Sequence, residues 1–266
     1  MSGRVLVTGA AGTIGVMLRR GLPALGWRLR LLDTAQPGPA APGEEIVNAD
    51  IRNGAAVEAA MTGIEAVVHL AAYPSPATPF ADVLEVNIAG TYEVFDAARR
   101  AGVPRIVFAS SNHAVGFTPR AELVGVDVPP RPDSYYGVSK VFGEALGRLY
   151  ADRYGMRVAA LRIGSCQDRP VTRRHLSTWL SPGDMVRLAA ACLAAPDLTY
   201  AVVYGISANN RRWWDLGPGR ALGYEPVDDA EAYAAEVLAG APPANPDNPE
   251  ERYVGGEFAG PDYDAR

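Results

Sequence analysis

The feature that most constrains the fold is a glycine-rich turn near the start of the chain. An apolar segment at 4–8 is followed by GAAGTIG at 9–15, and apolar residues then recur at helical spacing from 14 to 25. Glycines let a backbone turn sharply and approach a pyrophosphate, which then lies on the positive N-terminus of the helix. Because the turn joins a strand to a helix, it predicts a dinucleotide-binding unit, although glycine also serves ordinary tight turns.

A carboxylate follows the second predicted strand. This strand spans 28–32 and ends at Asp33, close to the ~20-residue distance after the glycines at which a carboxylate bonds the adenosine ribose hydroxyls. A carboxylate there repels the 2′-phosphate of NADP, and neither Thr34 nor Ala35 supplies a cation to hold that phosphate. We therefore predict NAD as the cofactor. An N-cap or turn aspartate is the alternative interpretation.

Predicted strands and helices alternate along the chain. Further strands are predicted near 45–47, 65–70, 105–109, 158–163 and 199–204, and helices at 54–62, 80–101, 135–154, 183–194 and 229–239. This alternation predicts an α/β fold, a Rossmann-type doubly wound parallel sheet with helices on both faces and a small C-terminal substrate-binding part. We expect one domain over 1–266, with substrate-binding elements mainly from 165–182 and 205–266. The last 25 residues are predicted to be extended.

Composition excludes several classes of protein. Among the 266 residues 48% are hydrophobic, so disorder of the whole chain is excluded. The net charge is −5 and no Lys/Arg cluster is long enough for a nucleic-acid site. No apolar run approaches a membrane span, and the three histidines show no metal-ligand spacing, so no membrane partner and no metal are predicted. Two cysteines and the lack of a signal peptide favour a cytoplasmic location.

A second set of polar residues predicts an enzyme. Tyr136 and Lys140 are four residues apart and therefore share one face of a helix. An ammonium about 4 Å from a phenolate stabilises it by up to ~4 kcal/mol at an effective dielectric near 20, which lowers the phenol pKa toward neutrality. With a serine hydroxyl from the preceding SSNH sequence at 110–113, the pair suits proton removal from a carbinol while a hydride leaves for a nicotinamide. Alone, such a pair is weak, because many amphipathic helices carry one.

Together these motifs resemble the extended short-chain dehydrogenase/reductases. The glycine turn, Asp33, Asn87, Ser111 and the Tyr136/Lys140 pair match that superfamily over the first ~165 residues. Further stretches, FASSNH at 108–113, RIGSC at 162–166, LSTW at 176–179 and SANN at 207–210 with WWD at 213–215, resemble the bacterial uronate dehydrogenase family. This resemblance implies oxidation of D-galacturonate or D-glucuronate at C1 to an aldarolactone, with Tyr136 as general base.

The resemblance also implies the residues of the site. Tyr136, Lys140 and Ser111 would be catalytic. The implied cofactor contacts are Gly9, Gly12, Thr13, Ile14, Gly15, Asp33, Asp50, Ile51, Leu70, Ala71, Ala72, Asn87, Tyr136, Lys140 and Ile163. The implied substrate contacts are Ser75, Ser111, Asn112, His113, Tyr136, Ser165 and Arg174.

Three residues have more than one interpretation. A guanidinium binds a uronate carboxylate bidentately, and the family register favours Arg174 over its neighbour Arg173. His113 is expected to bond a sugar hydroxyl, since Tyr136 already fills the role of base. Cys166 is interpreted as a packed thiol because no basic partner follows from the sequence.

Two rival functions share the same motifs. A nucleotide-sugar epimerase or dehydratase of the same superfamily would use the same Tyr136 and Lys140, but the short C-terminal region and the SSNH stretch argue against it. A non-catalytic NAD-sensing protein typically loses the tyrosine or lysine, and both are present. The superfamily commonly pairs the helices at 80–101 and 135–154 across a two-fold axis, so we expect a homo-oligomer, a dimer or an assembly of dimers.

Overall fold

A computed structural model describes residues 3–120, 123–245, 247–260 and 263, and its centre is a parallel β-sheet. The strands are β1 (Arg4–Thr8), β2 (Arg28–Asp33), β3 (Glu45–Asn48), β4 (Ala66–His69), β5 (Arg105–Ser111), β6 (Arg157–Ile163), β7 (Ser165–Cys166), β8 (Trp179–Leu180) and β9 (Tyr200–Gly205). Seven of them form one sheet in the order β3-β2-β1-β4-β5-β6-β9, and each neighbouring pair is parallel. β7 and β8 form a separate parallel pair.

Helices lie between the strands and after the last one. They are α1 (Thr13–Gly21), α2 (Gly54–Ala60), α3 (Phe80–Asp82), α4 (Thr91–Arg100), α5 (Tyr135–Tyr154), α6 (His175–Thr178), α7 (Pro182–Ala194), α8 (Gly217–Ala221), α9 (Ala234–Ala239) and α10 (Pro249–Arg252). The longest, α5, begins at the N-cap Ser134, whose hydroxyl accepts the Gly137 N–H at 3.1 Å, and ends at Gly155 in the left-handed conformation (φ +67°).

The sheet is covered on both faces. Val5 and Val7 of β1 belong to the same core cluster as Leu18 of α1, whereas Leu6 between them packs in the cluster of Phe95 from α4. Alternate residues of a strand point to opposite faces, so an apolar strand such as β1 must be covered on both sides. The prediction of a Rossmann-type, doubly wound α/β fold is confirmed.

One local prediction needs refinement and another was wrong. The segment predicted as a helix at 80–101 is helical, but its middle part, Val83–Gly90, is a π-helix between α3 and α4. The tail predicted to be extended contains α10 and a 3-10 turn at Gly256–Ala259. It packs against the loop after β5: the Val254 and Gly255 N–H groups donate to the Thr118 and Gly116 carbonyls. The structure of the tail depends on contacts with a segment distant in sequence, which local propensity does not report.

His69 is a core residue, as predicted. Only 1% of it is exposed, and its ring bonds the hydroxyls of Thr8 at 2.7 Å and Thr91 at 3.1 Å. Among the described residues, no helix combines the length and apolar character needed to cross a membrane.

Candidate active site

The carboxyl ends of the central strands open into a cleft of about 710 Å³. It lies beside β1, where the strand order reverses: β2 and β3 lie on one side of β1, and β4 to β6 lie on the other. Open α/β sheets bind ligands at such a switch point. Most of the predicted site residues line it: Gly9, Gly12, Thr13, Ile14, Gly15, Asp33, Asp50, Ile51, Leu70, Ala71, Ala72, Ser111, Asn112, His113, Tyr136, Lys140 and Ile163.

The glycine turn is shaped by close backbone contacts. Gly9 has φ +72°, and a Cβ there would lie 2.6 Å from the Ala71 nitrogen. A Cβ on Gly15 would lie 2.5 Å from the Gly9 carbonyl oxygen. Gly12 is the N-cap of α1 and has no side chain, so no N-cap side chain occupies the N–H groups at the start of this helix. These features fit the pyrophosphate of a dinucleotide.

Asp33 at the end of β2 is tied to this turn. Its Oδ2 accepts the Ala11 N–H and its Oδ1 accepts the Ala35 N–H, both at 2.9 Å. The structure also places a cation, Arg52, in the same cleft, which sequence analysis missed. Arg52 forms ion pairs with Asp50 at 2.7 Å and Glu85 at 2.9 Å, so two carboxylates compensate its positive charge.

Tyr136 and Lys140 lie one turn apart on α5, at the inner end of the cleft. The Lys140 Nζ lies 5.3 Å from the centre of the Tyr136 ring and 5.2 Å from that of Phe108. Ser111, the last residue of β5, hydrogen-bonds the Tyr136 side chain. The predicted trio is therefore assembled by the start of one helix and the end of one strand.

The pKa values of the pair differ from the expectation. Burial raises the pKa of Tyr136 to about 12, an effect that the hydrogen bond from Ser111 opposes and the charge of Asp133 reinforces. Burial also lowers the pKa of Lys140 to about 8. The predicted lowering of the phenol pKa is not seen, because both side chains are almost fully buried and removal from water disfavours their charged forms.

A buried carboxylate holds His113. The Asp133 Oδ2 and Oδ1 lie 2.8 and 3.0 Å from the His113 Nδ1, and the Asp133 side chain is fully buried. Sequence analysis missed Asp133, whose place just before the start of α5 is also typical of an ordinary turn residue. Its pairing with a residue 20 positions earlier has no local signal.

The tail brings Arg174 to the site. Arg174 donates to the Val254 carbonyl oxygen, and the Asn112 side-chain amide donates to the same oxygen at 3.3 Å. The Arg174 guanidinium lies 5.7 Å from the Trp213 ring centre. Arg173 is directed elsewhere, since it donates to the Pro242 carbonyl oxygen. The structure thus separates the two arginines and places Arg174 beside a cleft residue.

Four predicted contacts do not line the cleft: Arg174, which lies beside Asn112, and three others. Asn87 is buried and bonds the Tyr73 backbone, its Oδ1 accepting the N–H at 2.8 Å and its Nδ2 donating to the carbonyl at 3.1 Å. Asn87 therefore orients the Tyr73 backbone next to the cleft and does not itself line the cleft. Ser75 is exposed, and its hydroxyl accepts the Ala77 N–H at 3.2 Å. The Ser165 hydroxyl lies 2.9 Å from that of Thr178.

A buried ion pair supports the floor of the site. Arg162 of β6 donates two hydrogen bonds of 2.9 Å to the Glu144 carboxylate on α5, and the Ser110 hydroxyl donates to it at 2.6 Å. This network joins α5 to the two strands that end at the cleft, and sequence analysis missed it.

Cys166 lies at the edge of the cleft, where its Sγ is 3.6 Å from the Met17 Sδ. Burial raises the pKa of this thiol to about 12, so it is protonated at neutral pH, in accord with a packed thiol.

Comparison with known proteins agrees with this geometry. The model of the NAD dependent epimerase/dehydratase family matches residues 5–166. A uronate dehydrogenase of Agrobacterium fabrum is 46% identical over 255 residues, which cover 96% of each chain. The crystal structure of a uronate dehydrogenase mutant from Agrobacterium tumefaciens complexed with NAD has a TM-score of 0.92 and 44% identity over 99% of each chain. That of a glucuronic acid dehydrogenase from Chromohalobacter salexigens has a TM-score of 0.93 and 42% identity over 97% of each chain. The chain therefore belongs to the uronate dehydrogenases, within the NAD-dependent epimerase/dehydratase family.

Proposed function

We propose that this protein oxidises the hexuronates D-galacturonate and D-glucuronate at C1, with NAD as hydride acceptor. The observation that carries the proposal is the Val254 carbonyl shared by Asn112 and Arg174, because it places a guanidinium beside Asn112, which lines the cleft that holds Tyr136. A uronate differs from a neutral sugar by its carboxylate, and a guanidinium matches a carboxylate in shape and charge.

The cleft residues fit NAD. The close-packed glycine turn suits the pyrophosphate, and the Asp33 carboxylate suits the adenosine ribose, because it would accept hydrogen bonds from both hydroxyls. Lys140 suits the nicotinamide ribose, since it lies beside Tyr136 where the reacting end of the dinucleotide must be. When bound, NAD supplies the acceptor for the hydride.

In the proposed reaction the anomeric hydroxyl of the pyranose faces Tyr136. Tyr136 takes the hydroxyl proton and Ser111 holds the oxygen, while the hydrogen on C1 leaves as a hydride. One O–H bond and one C–H bond break, and C1 becomes a carbonyl. Because C1 is part of the ring, the product is an aldarolactone, which opens later in water to the aldaric acid.

Lys140 prepares Tyr136 for this step. A buried phenol with a pKa of about 12 is a poor base at neutral pH, so the phenolate must be stabilised when it forms. The ammonium of Lys140 is within reach of Tyr136 and is charged below about pH 8. Its attraction for the phenolate strengthens as the cleft loses water.

The C-terminal half supplies the substrate side of the site in this proposal. We assign the chain to a single domain over 1–266, with substrate-binding elements in 165–182 and 205–266. The contact of Arg174 with Val254 supports this assignment, because it joins one of these segments to the other next to Asn112.

We further propose that the protein forms a symmetric dimer, or an assembly of dimers, through α4 and α5. The support is a group of exposed apolar side chains on these adjacent helices and the π-helix before α4: Leu84, Tyr92, Val138, Leu149 and Tyr154. Replacing both Val138 and Leu149 by Lys would put charges into this interface, so the double variant should sediment as a monomer in analytical ultracentrifugation.

A cytoplasmic location is also proposed. Cys166 and Cys192 are both free thiols, and one of them is fully buried, which suits a reducing compartment. Fractionation of cells that produce the protein would test this location.

The function is tested by NADH formation from NAD with galacturonate, glucuronate or glucose. We expect rapid turnover of the uronates, its loss in Tyr136→Phe, and a strongly raised uronate KM in Arg174→Ala. Arg173→Ala is the matched control and should stay close to the unchanged protein, because Arg173 donates to the Pro242 carbonyl oxygen and not to that of Val254.

Two outcomes would overturn the proposal. Equal turnover of glucose and glucuronate would remove the argument from the carboxylate. Absence of NADH with every uronate, together with NAD that copurifies with the protein, would favour an epimerase or dehydratase.

A further inference from the structure

We propose that Asp133 is a positioning residue: it holds His113 with the proton on Nδ1, so that Nε2 faces the substrate as a hydrogen-bond acceptor. This proposal rests on the proposed function, because the partner of Nε2 would be a hydroxyl of the uronate. It adds to the site a residue that never touches the substrate.

The geometry commits one nitrogen of the imidazole. Both Asp133 carboxylate oxygens lie within 3.0 Å of the His113 Nδ1, and the Asp133 side chain is fully buried. An ionised carboxylate can only accept hydrogen bonds, so it favours the tautomer in which Nδ1 carries the proton. The lone pair of a neutral imidazole then lies on Nε2.

The second nitrogen remains for the cleft. His113 lines the cleft, and its ring centre lies 5.9 Å from that of Tyr136 in an edge-on arrangement. On another side the ring of Phe258, from the C-terminal tail, packs edge-on at 5.3 Å. The imidazole is thus fixed by a carboxylate and two aromatic rings, and a sugar hydroxyl in the cleft would meet Nε2.

The pocket around Asp133 is shaped for its carboxylate. A Cβ on either Gly116 or Gly255 would collide with the Asp133 Oδ2, so the loop after β5 and the C-terminal tail both approach it through glycine. The Ser134 hydroxyl donates to Oδ1 at 3.1 Å and also accepts the Gly137 N–H at the start of α5. Asp133 therefore links His113 to the start of the helix that carries Tyr136.

A purely structural role is the alternative. A carboxylate at this place also stabilises α5 by its attraction to the positive N-terminus of the helix, and that effect does not involve the histidine. The two roles differ in one respect: only the positioning role depends on which nitrogen of His113 carries the proton.

The first test is ¹⁵N NMR of histidine-labelled protein, at a pH where the ring of His113 is neutral. The chain has three histidines, so the His113 signals are assigned by their loss in His113→Gln. We expect the Nδ1–H tautomer in the unchanged protein. In Asp133→Asn the amide oxygen keeps the hydrogen bond from the Ser134 hydroxyl, which turns the NH2 group toward the His113 Nδ1, so we expect the Nε2–H tautomer. An unchanged protein in the Nε2–H form, or no change of tautomer in Asp133→Asn, would overturn the proposal.

The second test is a double-mutant cycle on uronate oxidation. We expect Asp133→Asn to lower kcat/KM for glucuronate by about tenfold, mainly through a higher KM. The reason is that a protonated Nε2 can no longer accept a hydrogen bond from the sugar hydroxyl. In a His113→Ala background the same substitution should change kcat/KM by less than about twofold, because a positioning residue acts only through its partner. Additive losses in the two variants would overturn the proposal.

Controls separate folding and the proposed function from this inference. Asp152→Asn changes an exposed aspartate of α5 and should leave kcat/KM unchanged. NAD affinity, measured by fluorescence titration, should be equal in all variants. If the unchanged protein oxidised no uronate, the proposed function would fail, whereas the tautomer of His113 would still decide whether Asp133 orients it.

Discussion

Arg174 and Asn112 donate hydrogen bonds to one backbone carbonyl, that of Val254, although the three residues come from three distant parts of the chain. Asn112 begins the turn after β5, Arg174 precedes α6, and Val254 lies in the C-terminal tail. This carbonyl thus orients the Arg174 guanidinium beside Asn112, a residue that lines the cleft.

Arg174→Lys should weaken uronate binding even though the charge is kept. A lysine cannot reproduce the planar fork that a carboxylate accepts, so we expect the KM for glucuronate to rise about tenfold. Steady-state NADH assays check this, with Arg173→Lys as the matched control. A KM equal to that of the unchanged protein would show that the carboxylate binds elsewhere.

Asp33→Asn should change the choice of cofactor. The neutral amide removes the repulsion of a 2′-phosphate, and it also weakens the acceptance of ribose hydrogen bonds. We expect the KM for NAD to rise about tenfold and the ratio of NADP to NAD turnover to increase. Assays with each cofactor at saturating uronate measure this ratio. An unchanged ratio would mean that Asp33 only supports the glycine turn.

Glu144→Gln should destabilise the fold more than loss of a surface ion pair does. The substitution leaves the buried Arg162 guanidinium without its carboxylate, which costs roughly 3–5 kcal/mol of unfolding free energy. Urea unfolding measures this loss. Asp152→Asn breaks the exposed pair with Arg148 and should cost less than about 1 kcal/mol. Equal effects would show that burial does not govern the contribution of the Arg162–Glu144 pair.

His69 should make the protein less stable in acid. Burial lowers the pKa of His69 to about 3, whereas in the unfolded chain the group titrates near 6.5. Between pH 6.5 and pH 3 only the unfolded state binds this proton. The contribution of neutral His69 to the free energy of unfolding is therefore fully present above pH 6.5 and is lost as the pH falls toward 3. Between pH 7 and 5.5 the loss is about 1 kcal/mol.

The measurement is urea unfolding of the unchanged protein and of His69→Gln at both pH values. The variant lacks the titrating ring, so its stability should fall by about 1 kcal/mol less over this interval. Identical losses in the two proteins would assign the acid sensitivity to other groups.

Local patterns in the sequence determined most of the framework. The apolar strands, the glycine turn after β1, Asp33 at the end of β2 and the Tyr136/Lys140 spacing were all predicted from residues near one another in the chain. Strand alternation and helical spacing depend on backbone geometry that repeats within a few residues, so the sequence carries them directly. The carboxyl ends of the parallel strands then had to meet at one edge, where the cleft lies.

The tertiary structure alone decided the features that depend on distant partners. No local pattern indicates that Asp133 holds His113, that the Val254 carbonyl receives Arg174, or that Glu144 pairs with Arg162. Burial, which depends on the whole packed chain, likewise raises the pKa of Tyr136 where its helical spacing from Lys140 predicted a lower value. Spacing determines which side chains share a helix face, whereas desolvation and long-range contacts determine their protonation and orientation.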